Sequence, residues 1–247
     1  KTFINEGATL DLGTTFGHRL GIVSGTGTLY VERGELPAGI YDEFFSTAGG
    51  TLEYGGGTYT GSFTTANNLK VTNSIFEFPN NDVTINGNLI ANSGYLKASN
   101  AININLKGNI DYIGGRFFFN WGNSTVIMSG TALQEISFSN SAYGFKNFKI
   151  NNPNGVQLNN SLILTGVLDL FDGHIYASSG STIYIRNNGT IANGSDTSFV
   201  DGPLYKNLNS STDFTFQIGK NGVYRTIGLV NPTNDALWYG EYTPSNA

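Results

Sequence analysis

The 247-residue chain carries 18 acids against 13 Lys and Arg, a formal charge of −5, and only 13% of its residues are charged. Aromatics at 13% and 33 Gly separate it from disordered polyelectrolytes, and the helix-favouring Ala, Leu, Glu, Lys and Arg are too scarce for a helical bundle. It has no basic stripe for nucleic acid, no apolar run long enough for a transmembrane helix, and no Cys for disulfides, thiolate metal sites or a Cys nucleophile.

Lys1-Thr2-Phe3-Ile4-Asn5 already reads as a strand, without an initiator Met or a signal peptide. The chain is therefore expected to be a segment of a longer protein, with further domains on either side and any export signal outside it. Short alternating runs follow, each closed by Gly or Asn: Ala8–Leu12, Gly27–Val31, Gly50–Tyr54, Asp82–Asn86, Ala101–Leu106, Ser124–Met128, Ser161–Thr165 and Ser181–Ile185. Apolar β-branched or aromatic residues stand two apart in them, and no window sustains a helical period.

Such runs recur at a loose spacing of roughly 18 to 25 residues, the mark of a solenoid. The expected fold is all-β: a right-handed parallel β-solenoid, or β-helix, over residues 1–197. Each coil would bury alternate side chains, and its corners would need the positive φ that Gly and Asn tolerate. Asn at equivalent corners could stack into hydrogen-bond ladders, and low charge would avoid stacking like charges. An antiparallel sandwich is the competing arrangement, but its two-residue hairpin signals are few: Asn86-Gly87 and Asp172-Gly173. From Ser198 the runs lengthen and Asn221-Gly222 forms a strong turn pair. Residues 198–247 are read as a C-terminal antiparallel β cap or the start of a β-sandwich.

Leu36-Pro-Ala-Gly-Ile-Tyr41, Gly49-Gly-Thr-Leu-Glu-Tyr-Gly55 and Gly155–Leu170 resemble repeats of large secreted surface proteins of the Bacteroidota. Phe199-Val-Asp-Gly-Pro-Leu-Tyr-Lys206 followed by Phe214–Arg225 is the strongest match, with Thr226 where such proteins usually have Pro. The resemblance is one of repeat style and carries no catalytic signature. It implies an extracellular or cell-surface, adhesin-like location and role. It also implies type IX export and, as partners, surface glycans or the secretion and outer-membrane machinery.

Candidate chemistry is sparse. His18 and His174 form no metal-spaced pair. Asp42-Glu43 and Asp169 with Asp172 are local acidic pairs of the kind polysaccharide-active enzymes use. Asp11, Glu32 and Glu53 recur every 21 residues, so in a solenoid they would be outward polar positions of three coils, or a carboxylate column for Ca²⁺. In Arg116-Phe-Phe-Phe-Asn-Trp-Gly122, alternation puts Phe117, Phe119 and Trp121 on one face, as core or as a platform for sugar rings. The leading expectation is a non-enzymatic structural or adhesive segment. A β-helix lyase or glycoside hydrolase, or a glycan-binding module, is the alternative.

Overall fold

A computed structural model describes residues 1–59, 61–114, 116–119, 122–139 and 144–244, with the backbone alone over 116–119. Among these residues there is no helix. Stacked parallel strands form a β-solenoid of about ten turns. The chain divides into two compact units, Lys1–Ser124 and Thr125–Ala247.

In the first unit one face of the coil is built from Thr9–Asp11, Thr28–Val31, Thr51–Tyr54, Asn68–Thr72, Leu89–Asn92 and Ile110–Ile113. Their pairing is parallel and in register, so Leu10, Leu29, Leu52, Leu69, Leu89 and Ile110 lie one above another. From Leu29 onward this row is buried. Outward neighbours alternate with it, as in Thr28–Val31, where half-buried and buried positions follow each other. The alternation read in the sequence is this pleat, with one side facing the interior.

Before Gly50 the coils close through only one other sheet, Thr2–Phe3, Arg19–Ser24 and Ala38–Ile40. From Thr51 onward each coil is three-sided. Thr58–Tyr59, Ile75–Glu77, Tyr95–Lys97 and Arg116–Phe119 form the second face, and Thr65–Ala66, Val83–Ile85 and Asn103–Leu106 the third. Buried Phe44 and Phe45 sit at this change of section, with Phe63, Phe76, Tyr54 and Tyr59 packed beyond them. Gly50 is required there because a Cβ would stand 2.2 Å from the Phe44 ring.

The second unit repeats the three-sided coil. Gln134–Phe138, Val156–Leu158, Ile175–Tyr176 and Val200–Asp201 stack on one face, and Leu162–Leu164, Ile183–Ile185 and Leu204–Leu208 on the next. Thr125–Met128, Asn147–Asn151, Val167–Asp172 and Thr190–Ala192 form the third. Parallel pairing runs past residue 197, since Phe214–Lys220 still lies parallel to Val200–Asp201. Antiparallel pairing begins with Val223–Leu229 against Phe214–Lys220, and with Ala236–Gly240 against Leu204–Leu208. These two strands are the antiparallel cap.

Asn221-Gly222 makes the hairpin turn of that cap, with φ of 53° and 74° as a primed turn needs. Asn86-Gly87 and Asp172-Gly173 instead mark coil corners, because the strands around them pair with neighbouring coils and not with each other. At Gly173 φ is +89° and a Cβ would meet the Asn152 carbonyl oxygen at 1.8 Å, so only Gly fits.

One inward row ends in a charge. Leu164, Ile185 and Lys206 are successive register partners, and Lys206 is 2% exposed. Its ammonium donates to the carbonyls of Arg186 at 2.9 Å and Asn187 at 2.7 Å and stands 5.4 Å from the Phe214 ring centre. Burial pushes its pKa from 10.5 down to about 8. The unfolded chain therefore holds a proton that the folded one releases between about pH 8 and 10.5, so stability rises with pH across that window. Between pH 8 and pH 10 the urea midpoint of the wild type should gain on that of Lys206→Met by an amount worth about 2 kcal/mol, the tyrosines titrating alike in both. A difference between the two that does not change with pH would contradict this placement of the charge.

Candidate functional site

The register, and not the 21-residue spacing, decides which carboxylates meet. Asp11 partners Tyr30, and Tyr30 partners Glu53, so a phenol stands between the first and last of the three acids. Glu32 lies two residues further on and accepts the Tyr30 hydroxyl at 2.7 Å. That hydrogen bond, with burial and the charges of Glu32, Asp11 and Glu53, pushes the Tyr30 pKa up to about 12. Each carboxylate also has work elsewhere. Asp11 Oδ1 accepts the Gly13 amide at 2.8 Å, and Glu53 takes Lys70 Nζ at 3.1 Å and the Thr72 hydroxyl at 2.8 Å. Among the described residues no group of three or more His, Asp or Glu is arranged to hold a metal ion.

The other polar side chains follow the same logic. Glu53–Lys70, Glu77–Lys97 and Lys149–Asp169 are register partners on adjacent coils, each bridged at 3.1 Å. Lys220 reaches Asp201 at 3.0 Å, again one coil away. Asn68, Asn88 and Asn109 occupy one corner. The Asn88 amide donates to Asn68 Oδ1 and the Asn109 amide to Asn88 Oδ1, both at 2.8 Å. The ladder expected of corner Asn is therefore formed by side-chain oxygens and the next coil's backbone. Asp82 is tied likewise to the Asn103 amide at 2.8 Å and to its side chain at 2.9 Å, which holds its carboxyl below the usual range.

Of the aromatic run, the backbone of Arg116–Phe119 pairs parallel with Tyr95–Lys97, and Phe117 partners Leu96. The side chains of Phe117 and Phe119, and Trp121 altogether, lie outside the described residues. A different aromatic row stands on the outer side of the second unit. Tyr184, Tyr205 and Tyr239 are successive register partners, with ring centres 4.7 and 4.9 Å apart. The 21-residue step from Tyr184 to Tyr205 was its sequence signal. His174 packs 4.1 Å from the Phe199 ring with a buried, unpartnered Nδ1. Burial depresses its pKa despite the opposing charges of Asp201 and Asp172.

A cavity lies in the first unit, where the two-sheet coils leave loops 12–18 and 32–37 stacked one above the other. The Glu32 amide donates to Gly13 O at 3.1 Å, and Arg33 Nε donates to Thr14 O, which fixes the loops to each other. The Arg33 guanidinium sits 4.5 Å from the centre of the Phe16 ring, yet Phe16 remains 79% exposed. His18 Nε2 lies 2.7 Å from the Thr15 hydroxyl, which donates its own proton to Leu12 O. Nε2 therefore carries a proton as donor, and in the neutral ring Nδ1 is the bare acceptor. Arg19, Glu35 and Leu36 complete the walls. Sequence reasoning singled out His18 but not this cleft, because two loops from different coils build it.

No family model, curated protein or solved structure matches the chain. What the arrangement itself defines is a β-solenoid whose polar side chains mostly join one coil to the next. Reversing one such charge tests that. Lys97→Glu would place two carboxylates in register and lower stability by about 1 kcal/mol, less at high salt. Adding Glu77→Lys should restore most of the loss in urea denaturation. A double variant no more stable than the single one would contradict the cross-coil pairing.

Proposed function

We propose that the chain is a non-catalytic structural or adhesive segment of a large exported surface protein. The observation that carries this reading is the direction of its polar bonds. Side-chain hydrogen bonds and ion pairs repeatedly join residues 17 to 25 apart, one coil to the next, where a catalytic centre would converge them on one point. Asp169, one of the acids singled out for chemistry, is held by Lys149 at 3.1 Å and Asn193 at 2.7 Å in this way. Such a segment works by holding a presented surface in place.

The cell-surface location and type IX export rest on the repeat style of Leu36–Tyr41, Gly155–Leu170 and Phe199–Arg225. Surface glycans and the secretion machinery are the partners that go with that location. Incubation with a panel of acidic and neutral polysaccharides should release no shortened or unsaturated product. A product that one outward substitution abolishes, for example at Asp169 or Asp172, would replace this reading with a polysaccharide-active enzyme.

A further inference from the structure

We infer that the cleft between loops 12–18 and 32–37 binds a carboxylate-bearing saccharide, with Phe16, backed by Arg33, as its stacking platform and Arg19 as its carboxylate donor. Phe16 is among the most exposed apolar residues of the described chain, and leaving a Phe ring in water forfeits about 2 kcal/mol of burial. One face of the ring is taken by Arg33. A pyranose offers the other face a flat row of C–H bonds, a fit suited to an aromatic side chain with a polar rim.

The donors point to the charge. Arg33 spends Nε on Thr14 O and its guanidinium plane on one face of the Phe16 ring, so the carboxylate falls to the other arginine of the cavity wall. Among the described residues the Arg19 side chain has no hydrogen-bond or ion-pair partner, although it lines the same cavity. A guanidinium fork binds a carboxylate through two parallel hydrogen bonds, the strongest such contact available to a neutral-pH surface. The charged side chains of the cavity wall are Arg19, Arg33 and Glu35, with Asp11 and Glu32 beside it at Gly13. His18, held to the Thr15 hydroxyl, is a further polar side chain of the same wall. A ring-bound carboxylate is favoured over one on a peptide side chain, because a pyranose gives up less rotational freedom when it is fixed.

This assignment is separate from the structural reading. A segment with an inert cleft would still be a structural segment, and a saccharide could bind without being cleaved. Calorimetric titration with an oligogalacturonate, a neutral cello-oligosaccharide and a poly-glutamate peptide tests it. The oligogalacturonate should bind saturably and more weakly as salt rises, and the neutral sugar should not bind. Arg19→Gln and Phe16→Ala should each weaken binding by about tenfold or more, with urea midpoints unchanged. The Arg19 side chain makes no hydrogen bond or ion pair among the described residues, so its variant separates binding from stability. Absent binding, equal binding of the neutral sugar or the peptide, or binding that survives both substitutions would overturn the assignment.

Discussion

Parallel strands stacked in register are the constraint on which the rest of this structure depends. A residue in one coil meets the residue at the same position in the coils above and below, at about 4.8 Å. Like apolar residues then reinforce each other, and Leu10 through Ile110 form one row, buried from Leu29 onward. Like charges would repel at that spacing, so the charged residues that stack are opposite in sign. Asn can serve as both donor and acceptor, and at one corner it hands each coil's amide an acceptor from the coil before. Low charge and abundant Gly follow from this one geometry.

Much of this was legible. The alternating runs quoted from the sequence are all strands in the structure, but they belong to three different faces. Ala8–Leu12, Gly27–Val31 and Gly50–Tyr54 read out the first face, and Asp82–Asn86 and Ala101–Leu106 the third. Each run was recognised where its face happened to alternate most cleanly. The coil length was harder to read, because loops vary while register does not. Thr28 partners Thr51, 23 residues on, and Thr51 partners Asn68, 17 on. A constant step of 21 therefore brought Glu32 into a column where Tyr30 stands.

Two further features were hidden for physical reasons. Asn-Gly tolerates the positive φ that the Asn221-Gly222 hairpin uses, but the Asn86-Gly87 corner turns without it, so the two pairs look alike until their pairing is known. In Leu204-Tyr-Lys-Asn-Leu208 the alternation puts Lys206 inward, but its residue type argues for water. Two backbone carbonyls within reach decide the matter. The cleft at Phe16 was hidden for another reason: it exists only once loops from consecutive coils are stacked.

Register is thus the quantity to measure, and a chain without Cys makes the measurement clean. Tyr30→Cys with Glu53→Cys places two thiols on register partners, at a Cα separation a disulfide can span. Glu32→Cys with Glu53→Cys preserves the 21-residue spacing but leaves the thiols two residues out of step. Under mild oxidation the first pair should close quantitatively and the second should remain reduced. Efficient closure of the second pair and not the first would mean that the coils are stacked in a different register from the one described.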